Sequence, residues 1–170
     1  MQALTARRRR ALVTLGLLRA GATALLLVAL YYVLPFDRGS TSSLVLVLVL
    51  GLAALVATTV WQVRAIVRSP YPGIRATQAL ATVVPLFLIV FATTYFMLSF
   101  QDPSSFSESL SRSDALYFTI TTFATVGLGD VAPTAQGVRL LVAVQVLLDL
   151  VVLGLGIKVI IGAVRKGRSS

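Results

Sequence analysis

The sequence predicts an all-α membrane protein with four transmembrane helices, and a short helix plus a glycine-containing loop that re-enters the membrane between the third and the fourth. Two observations carry this expectation. Of the 170 residues, 57 % are apolar and only 12 % charged, whereas a soluble domain of this length is about half apolar and about a quarter charged. The apolar residues also gather into four runs of the length a bilayer requires, about 20 residues each. Those runs consume nearly the whole chain, so no sizeable soluble domain is expected. The absence of cysteine and histidine excludes disulfides, Cys/His zinc or haem sites and an imidazole pH sensor. A formal charge of +9 does not point to nucleic acid, because the basic residues sit in short clusters between apolar runs, not on one solvated face.

Residues 1–10 read as a basic cytoplasmic tail, and 11–75 as two transmembrane helices with their connections. The first run extends from about Ala11 to Phe36 and ends in the breaker stretch Pro35, Asp37, Arg38, Gly39. Arg19 interrupts it and is expected to snorkel to the near headgroups. A cleaved signal peptide is the rival reading, given the basic Arg7 to Arg10. The run, however, exceeds the usual 7–15-residue apolar region, and no clear small-residue cleavage site follows. The second run, Leu44 to Val63, is free of charge and carries Trp61 at its far end, where an aromatic belt would place it. Arg64, Arg68 and Arg75 then surround Ser69-Pro70-Tyr71-Pro72-Gly73, a turn that cannot continue a helix.

The third span, about Ala79 to Phe100, contains Pro85, which is expected to kink it. Polar, serine-rich residues from Gln101 to Ser113 follow. The stretch from Asp114 to Ala124 is semi-apolar and too short to span. The fourth span runs from about Val138 to Val164 and ends in Arg165, Lys166 and Arg168. Placing the N-terminus inside puts the main basic clusters on the cytoplasmic side and Asp37, Asp102, Glu108, Asp114 and Asp130 outside, with both termini cytoplasmic. Arg7 to Arg10 could add ~1 kcal/mol each by meeting anionic headgroups. Only a short basic tail, 165–170, follows the last span, so no soluble ligand-binding domain is expected.

Between spans three and four, Ser113 is the expected N-cap and Asp114 suits the positive end of a helix over about Asp114 to Ala124. The backbone that returns as Thr125-Val126-Gly127-Leu128-Gly129 would be non-helical at membrane depth, which is tolerated only inside protein or beside a watery cavity. The alternative is a plain glycine turn joining two packed helices.

Thr122-Phe-Ala-Thr125-Val126-Gly127-Leu128-Gly129-Asp130 resembles the selectivity filter of the potassium-channel pore-loop family: two threonines three apart, then Val-Gly-aromatic-Gly-Asp, matched except at the aromatic position. Pro133 and Gly137-Val138-Arg139 agree as flanking features. The chain resembles a prokaryotic-type single-pore channel with two extra N-terminal spans, the pore domain being 76–164. The resemblance implies K+ ions held by the carbonyls of Thr125, Val126, Gly127 and Leu128, with the Thr125 hydroxyl at the inner end, and positive φ at Gly127 and Gly129, which such carbonyls demand and glycine adopts at little steric cost. It implies a homotetramer, because one chain offers one strand of such a cage. No cofactor is expected beyond K+ as the permeant ion, and no enzymatic role.

Leu128 departs from the family's Tyr or Phe and removes a phenolic hydrogen bond behind the filter. Tyr117 is the candidate to restore part of it, with ordinary helix packing as the alternative. Thr121 stands where some relatives pair an acid with the filter aspartate, leaving Asp130 to bond backbone or water, to join an external cation-attracting ring, or simply to cap a loop.

In the fourth span Gln145, Asp149 and Gly156 share one stripe, expected to face the pore or the pore helix. A charge at Asp149 costs ~2.5–3.5 kcal/mol on insertion scales and cannot face lipid. Two readings stand: four Asp149 carboxylates ring a cavity below the filter, or Asp149 bonds the hydroxyl of Thr121 or Thr122. Gly154 and Gly156 are hinge or close-packing candidates. The spans lack an arginine series at three-residue spacing, so voltage-sensor gating is not expected. A potassium-selective channel is the leading reading. A weakly selective cation channel and a non-conducting subunit that modifies another channel are the rivals.

Overall fold

Residues 6–34, 41–69 and 72–168 are described in this computed structural model, and they fold into five α-helices: α1 (Ala6–Val33), α2 (Thr41–Val67), α3 (Pro72–Gln101), α4 (Arg112–Phe123) and α5 (Gln136–Arg168). No strand occurs among the described residues; Phe106 and Pro133 form an isolated antiparallel bridge. Helices α1, α2, α3 and α5 each contain a span long and apolar enough to cross a membrane. The helices outrun the apolar runs at their ends. Backbone hydrogen bonding continues past the last apolar residue, so the expected tails 1–10 and 165–170 are helical from Ala6 and as far as Arg168. The third helix starts at Pro72, not near Ala79, because proline suits a first helical turn, where its missing N–H has no partner to lose. It continues through Pro85. The breaker residues 35–39 and the Pro70-Tyr71 turn lie outside the described residues.

Helix α3 is the hub. More than half of its span is buried within the chain, against about an eighth or less of the other three, and α1, α2, α4 and α5 all pack on it. Its residues 90–97 are buried on every side. Tyr95, Phe106 and Phe118 meet edge to face with centroids 5.2 to 5.9 Å apart. Phe87 touches Phe123 at 5.9 Å. Aromatic pairs in such geometry add ~0.5–1.5 kcal/mol each beyond their buried area, so α4 is fastened to α3 at its middle and at its C-terminal end. The outer faces of α1, α2 and α5 carry exposed leucines and valines, as helices set against lipid or further chains require.

The connection from α3 to α4 is folded against the return from α4 to α5. A single 3-10 turn, Pro103–Ser105, is capped by Asp102, whose carboxylate accepts from the Ser104 N–H and hydroxyl. The Ser107 N–H donates to the Ala132 carbonyl at 2.8 Å and the Thr134 N–H to the Ser105 carbonyl at 3.0 Å. The Ala132 N–H donates to the Ser107 hydroxyl at 3.0 Å.

Candidate functional site

Helix α4 is nucleated by a capping box. The Ser111 hydroxyl accepts from the Asp114 N–H, and the Asp114 carboxylate accepts from the Ser111 N–H at 2.9 Å. The cap is therefore Ser111 and not the expected Ser113, because the reciprocal bond needs a Ser three residues before the acid. Ser113 lies in the first turn, 3.0 Å from the Tyr32 hydroxyl. The box's hydrogen bonds hold the Asp114 carboxyl below its usual range.

The other end of α4 closes in a Schellman motif. The Thr125 N–H donates to the Thr122 carbonyl and the Val126 N–H reaches back to the Thr121 carbonyl, both at 2.9 Å. Ala124 is the C-cap. That motif places one residue in the left-handed region, a position usually given to glycine. Here it falls on Thr125, with φ 56°; for a β-branched residue this costs ~1–2 kcal/mol. The two threonines three apart are thus the two partners of the helix stop.

Beyond it, φ is again positive at Gly127, 58°, and Gly129, 78°. Positive φ therefore recurs at every second residue over 125–129. In an ordinary extended strand successive carbonyls point to opposite sides; reversing φ at alternate residues turns alternate peptide planes over and brings successive carbonyls to one side. Residues 124–130 are all exposed in the single chain, with Val126 at 56 % and Leu128 at 62 %. A Cβ added at Gly127 or Gly129 would meet no atom within 4 Å, so these glycines answer to backbone conformation and not to crowding.

Asp130 has protein partners. Its carboxylate accepts from the Tyr117 hydroxyl at 2.7 Å and from the Val131 N–H at 2.9 Å. These bonds, the phenol's first, hold the Asp130 carboxyl below its usual range, and the same contact raises the Tyr117 phenol. Tyr117 thus ties α4 to the residue after the loop rather than bonding behind Leu128. The Thr121 hydroxyl donates to its own helix, at the Tyr117 and Phe118 carbonyls.

The α5 expectations need correction. Gln145 and Asp149 are 0 % and 1 % exposed within the single chain, so neither faces an open cavity. The Tyr95 hydroxyl on α3 donates to Gln145 Oε1 at 2.6 Å, and Gln145 Nε2 lies 3.4 Å from Asp149 Oδ2. Asp149 Oδ1 is buried without a hydrogen-bond partner. The expected bond from Thr121 or Thr122 to Asp149 is not formed; the polar stripe turns toward α3, where Tyr95 supplies a donor. Helix α5 is unbroken at Gly154 and Gly156. A Cβ at Gly156 would sit 3.9 Å from Leu80, and at Gly154 in open space.

Arg112 escaped the sequence reading. From the first turn of α4 its guanidinium donates to the Tyr31 and Tyr32 carbonyls at the end of α1, and it lies 5.1 Å over the Phe96 ring of α3. The Tyr31 hydroxyl in turn donates to the Arg112 carbonyl at 2.7 Å. The available signal was a basic residue among the acids of the predicted outer side, opposite the Tyr31-Tyr32 pair at the end of the first span.

Residues 83–166 match the family described as ion channel. No curated protein and no solved structure matches the chain. The matched segment holds most of α3, all of α4, the 125–129 loop and nearly all of α5. With four helices of membrane-crossing length and apolarity beside that match, this chain is an integral membrane protein whose residues 83–166 are similar to a pore-loop ion channel.

Proposed function

We propose that this chain is the subunit of a homotetrameric, potassium-selective channel in which ions pass down their gradient through a carbonyl-lined filter at Thr125, Val126, Gly127 and Leu128. The observation that carries the reading is the positive φ at Thr125, Gly127 and Gly129. A dehydrating K+ needs oxygens in place of its water, and consecutive carbonyls turned to one side supply them without side-chain charge. Helix α4 acts as the re-entrant pore helix, its C-terminal dipole end favouring a cation, and α5 as the inner helix. The exposure of the 124–130 loop in a single chain, and of leucines and valines along α5, supports a four-fold assembly, in which neighbouring copies cover these surfaces. Positive-inside bias orients both termini to the cytoplasm of a plasma membrane. No arginine series supports a voltage sensor; α1 and α2 serve as a brace on α3 and α4.

One observation favours a second reading, a weakly selective cation channel. Leu128 has no polar group with which to fasten the filter from behind, and the phenol nearest in sequence, Tyr117, is engaged at Asp130.

Flux from liposomes holding only the purified protein separates the two. Gradients of potassium, rubidium, sodium and lithium are compared, with Gly127→Asp as the broken-filter control. Potassium and rubidium flux without sodium or lithium, abolished by the substitution, is the expected result. Comparable sodium flux assigns the weakly selective pore, and flux unaffected by Gly127→Asp refutes conduction through this loop.

A further inference from the structure

A second site lies at the opposite end of the helices from Asp130 and outside the family-matched segment. Helices α1, α2 and α3 enclose a cleft of about 330 Å³, into which Arg19, Gln62, Arg75 and Gln78 converge. Arg75 and Gln78 lie on one face of α3, three residues apart; Arg19 comes from α1 and Gln62 from the last turns of α2. Arg75 Nη1 donates to Gln78 Oε1 at 3.5 Å, the oxygen of an amide seated against α1. Gly16 makes room for that amide, since a Cβ there would fall 1.8 Å from Gln78 Nε2. Gln62 is only 8 % exposed and forms no hydrogen bond with another described residue. The hydroxyls of Thr23 and Thr82 on the wall donate to their own helices, to the Arg19 and Gln78 carbonyls.

Charge in the cleft has no internal answer. Helices α1, α2 and α3 contain no aspartate or glutamate, so two guanidiniums share a cleft whose three walls offer no carboxylate. An anion from outside would relieve their repulsion, and the donor set defines its chemistry. Planar guanidinium forks with a neutral amide donor match phosphate oxygens. Trp61 on the rim is 61 % exposed, as a side chain at headgroup level is.

We propose that this cleft binds a phosphate-bearing anion between Arg19 and Arg75, with Gln62 as a neutral donor. The phosphate is that of an anionic phospholipid headgroup or free phosphate. The site is independent of the conduction reading and stands or falls without ion flux.

The test is lipid retention by the full chain in neutral detergent, read by native mass spectrometry against titrated phosphatidylglycerol and phosphatidylcholine. The wild type is expected to prefer phosphatidylglycerol. Arg19→Gln and Arg75→Gln each weaken that binding about fivefold and together about thirtyfold, at the energy expected per arginine near an anionic surface. Arg19→Lys/Arg75→Lys keeps the charge but not the forks and restores part of it. Competition by millimolar inorganic phosphate assigns free phosphate as an accepted source, and resistance to it assigns the lipid. Arg19 is exposed, so its single variant decides if the double variant fails to fold. Wild-type phosphatidylglycerol binding by the Arg19→Gln variant would overturn the proposal. So would an equal loss in Arg64→Gln/Arg68→Gln, whose side chains lie outside the cleft.

Discussion

Removing the Arg112 guanidinium tests whether α1 braces the helix that precedes the filter loop. Arg112→Ala deletes charge-assisted bonds to the Tyr31 and Tyr32 carbonyls and the contact with the Phe96 ring at 5.1 Å. Both bonds leave from one nitrogen, and Arg112 is half-buried, so each is taken at or just below the low end for charged donors, about 1–1.5 kcal/mol. The ring contact adds ~0.5–1 kcal/mol. A positive charge at the C-terminal end of α1 is favourable and the same charge in the first turn of α4 is not; these contributions of ~0.3–1 kcal/mol nearly cancel. The total loss is about 2–4 kcal/mol. At roughly 2–4 °C per kcal/mol for a chain of this size, the unfolding midpoint in detergent, followed by circular dichroism, should fall by roughly 5–15 °C. Arg112→Lys keeps the charge but not the fork and should recover about half. A cycle with Phe96→Leu should show ~0.5–1 kcal/mol of coupling. An Arg112→Ala midpoint within about 1 °C of wild type, or no coupling to Phe96, would refute the brace.

Tyr117→Phe should destabilise most at neutral pH. The Asp130 carboxyl lies below its ordinary range in the fold, so its contribution is full above that ordinary range and is lost as pH falls through the lowered value. The gap between variant and wild type in a stability-versus-pH series should therefore close in acid, and a gap constant with pH would contradict the assignment. Tyr95→Phe leaves Gln145 Oε1 without its 2.6 Å donor and should cost about 1–2 kcal/mol in denaturation of the detergent-solubilised protein; an unchanged midpoint would show that the bond is not made. Asp149→Asn replaces a buried carboxyl that has one unpartnered oxygen with a neutral isostere and should stabilise by about 1–3 kcal/mol. A loss of stability instead would mean that the carboxylate meets a cation or a group from another copy.

Much of this was legible in the sequence for local reasons. A helix across the bilayer is a property of some 20 consecutive residues, so all four spans and the short helix between the last two could be read, with ends displaced where hydrogen bonding outran the apolar run, as at Ala6, Pro72 and Arg168. Positive φ at Gly127 and Gly129 was expected because glycine alone adopts it freely. Thr125 was not expected there: its φ of 56° is imposed by the helix stop, and β-branched side chains ordinarily avoid that region. The cap lies two positions before the expected Ser113, since Ser111 and Ser113 are equivalent until the reciprocal bond with Asp114 decides between them.

The sequence by itself determined what belongs in a membrane and where the backbone must depart from a helix, because transfer free energy and allowed φ are set residue by residue. Only the tertiary structure decided which way α5 turns its polar stripe, what Asp130 bonds and what holds α4. Those outcomes join Tyr95 to Gln145, Tyr117 to Asp130, and Tyr31 to Arg112, partners that lie on different elements. A stripe on a helix specifies a face but not the neighbour it meets. Gln145 and Asp149 could therefore be read toward a cavity until α3, carrying the Tyr95 hydroxyl, was found packed against them.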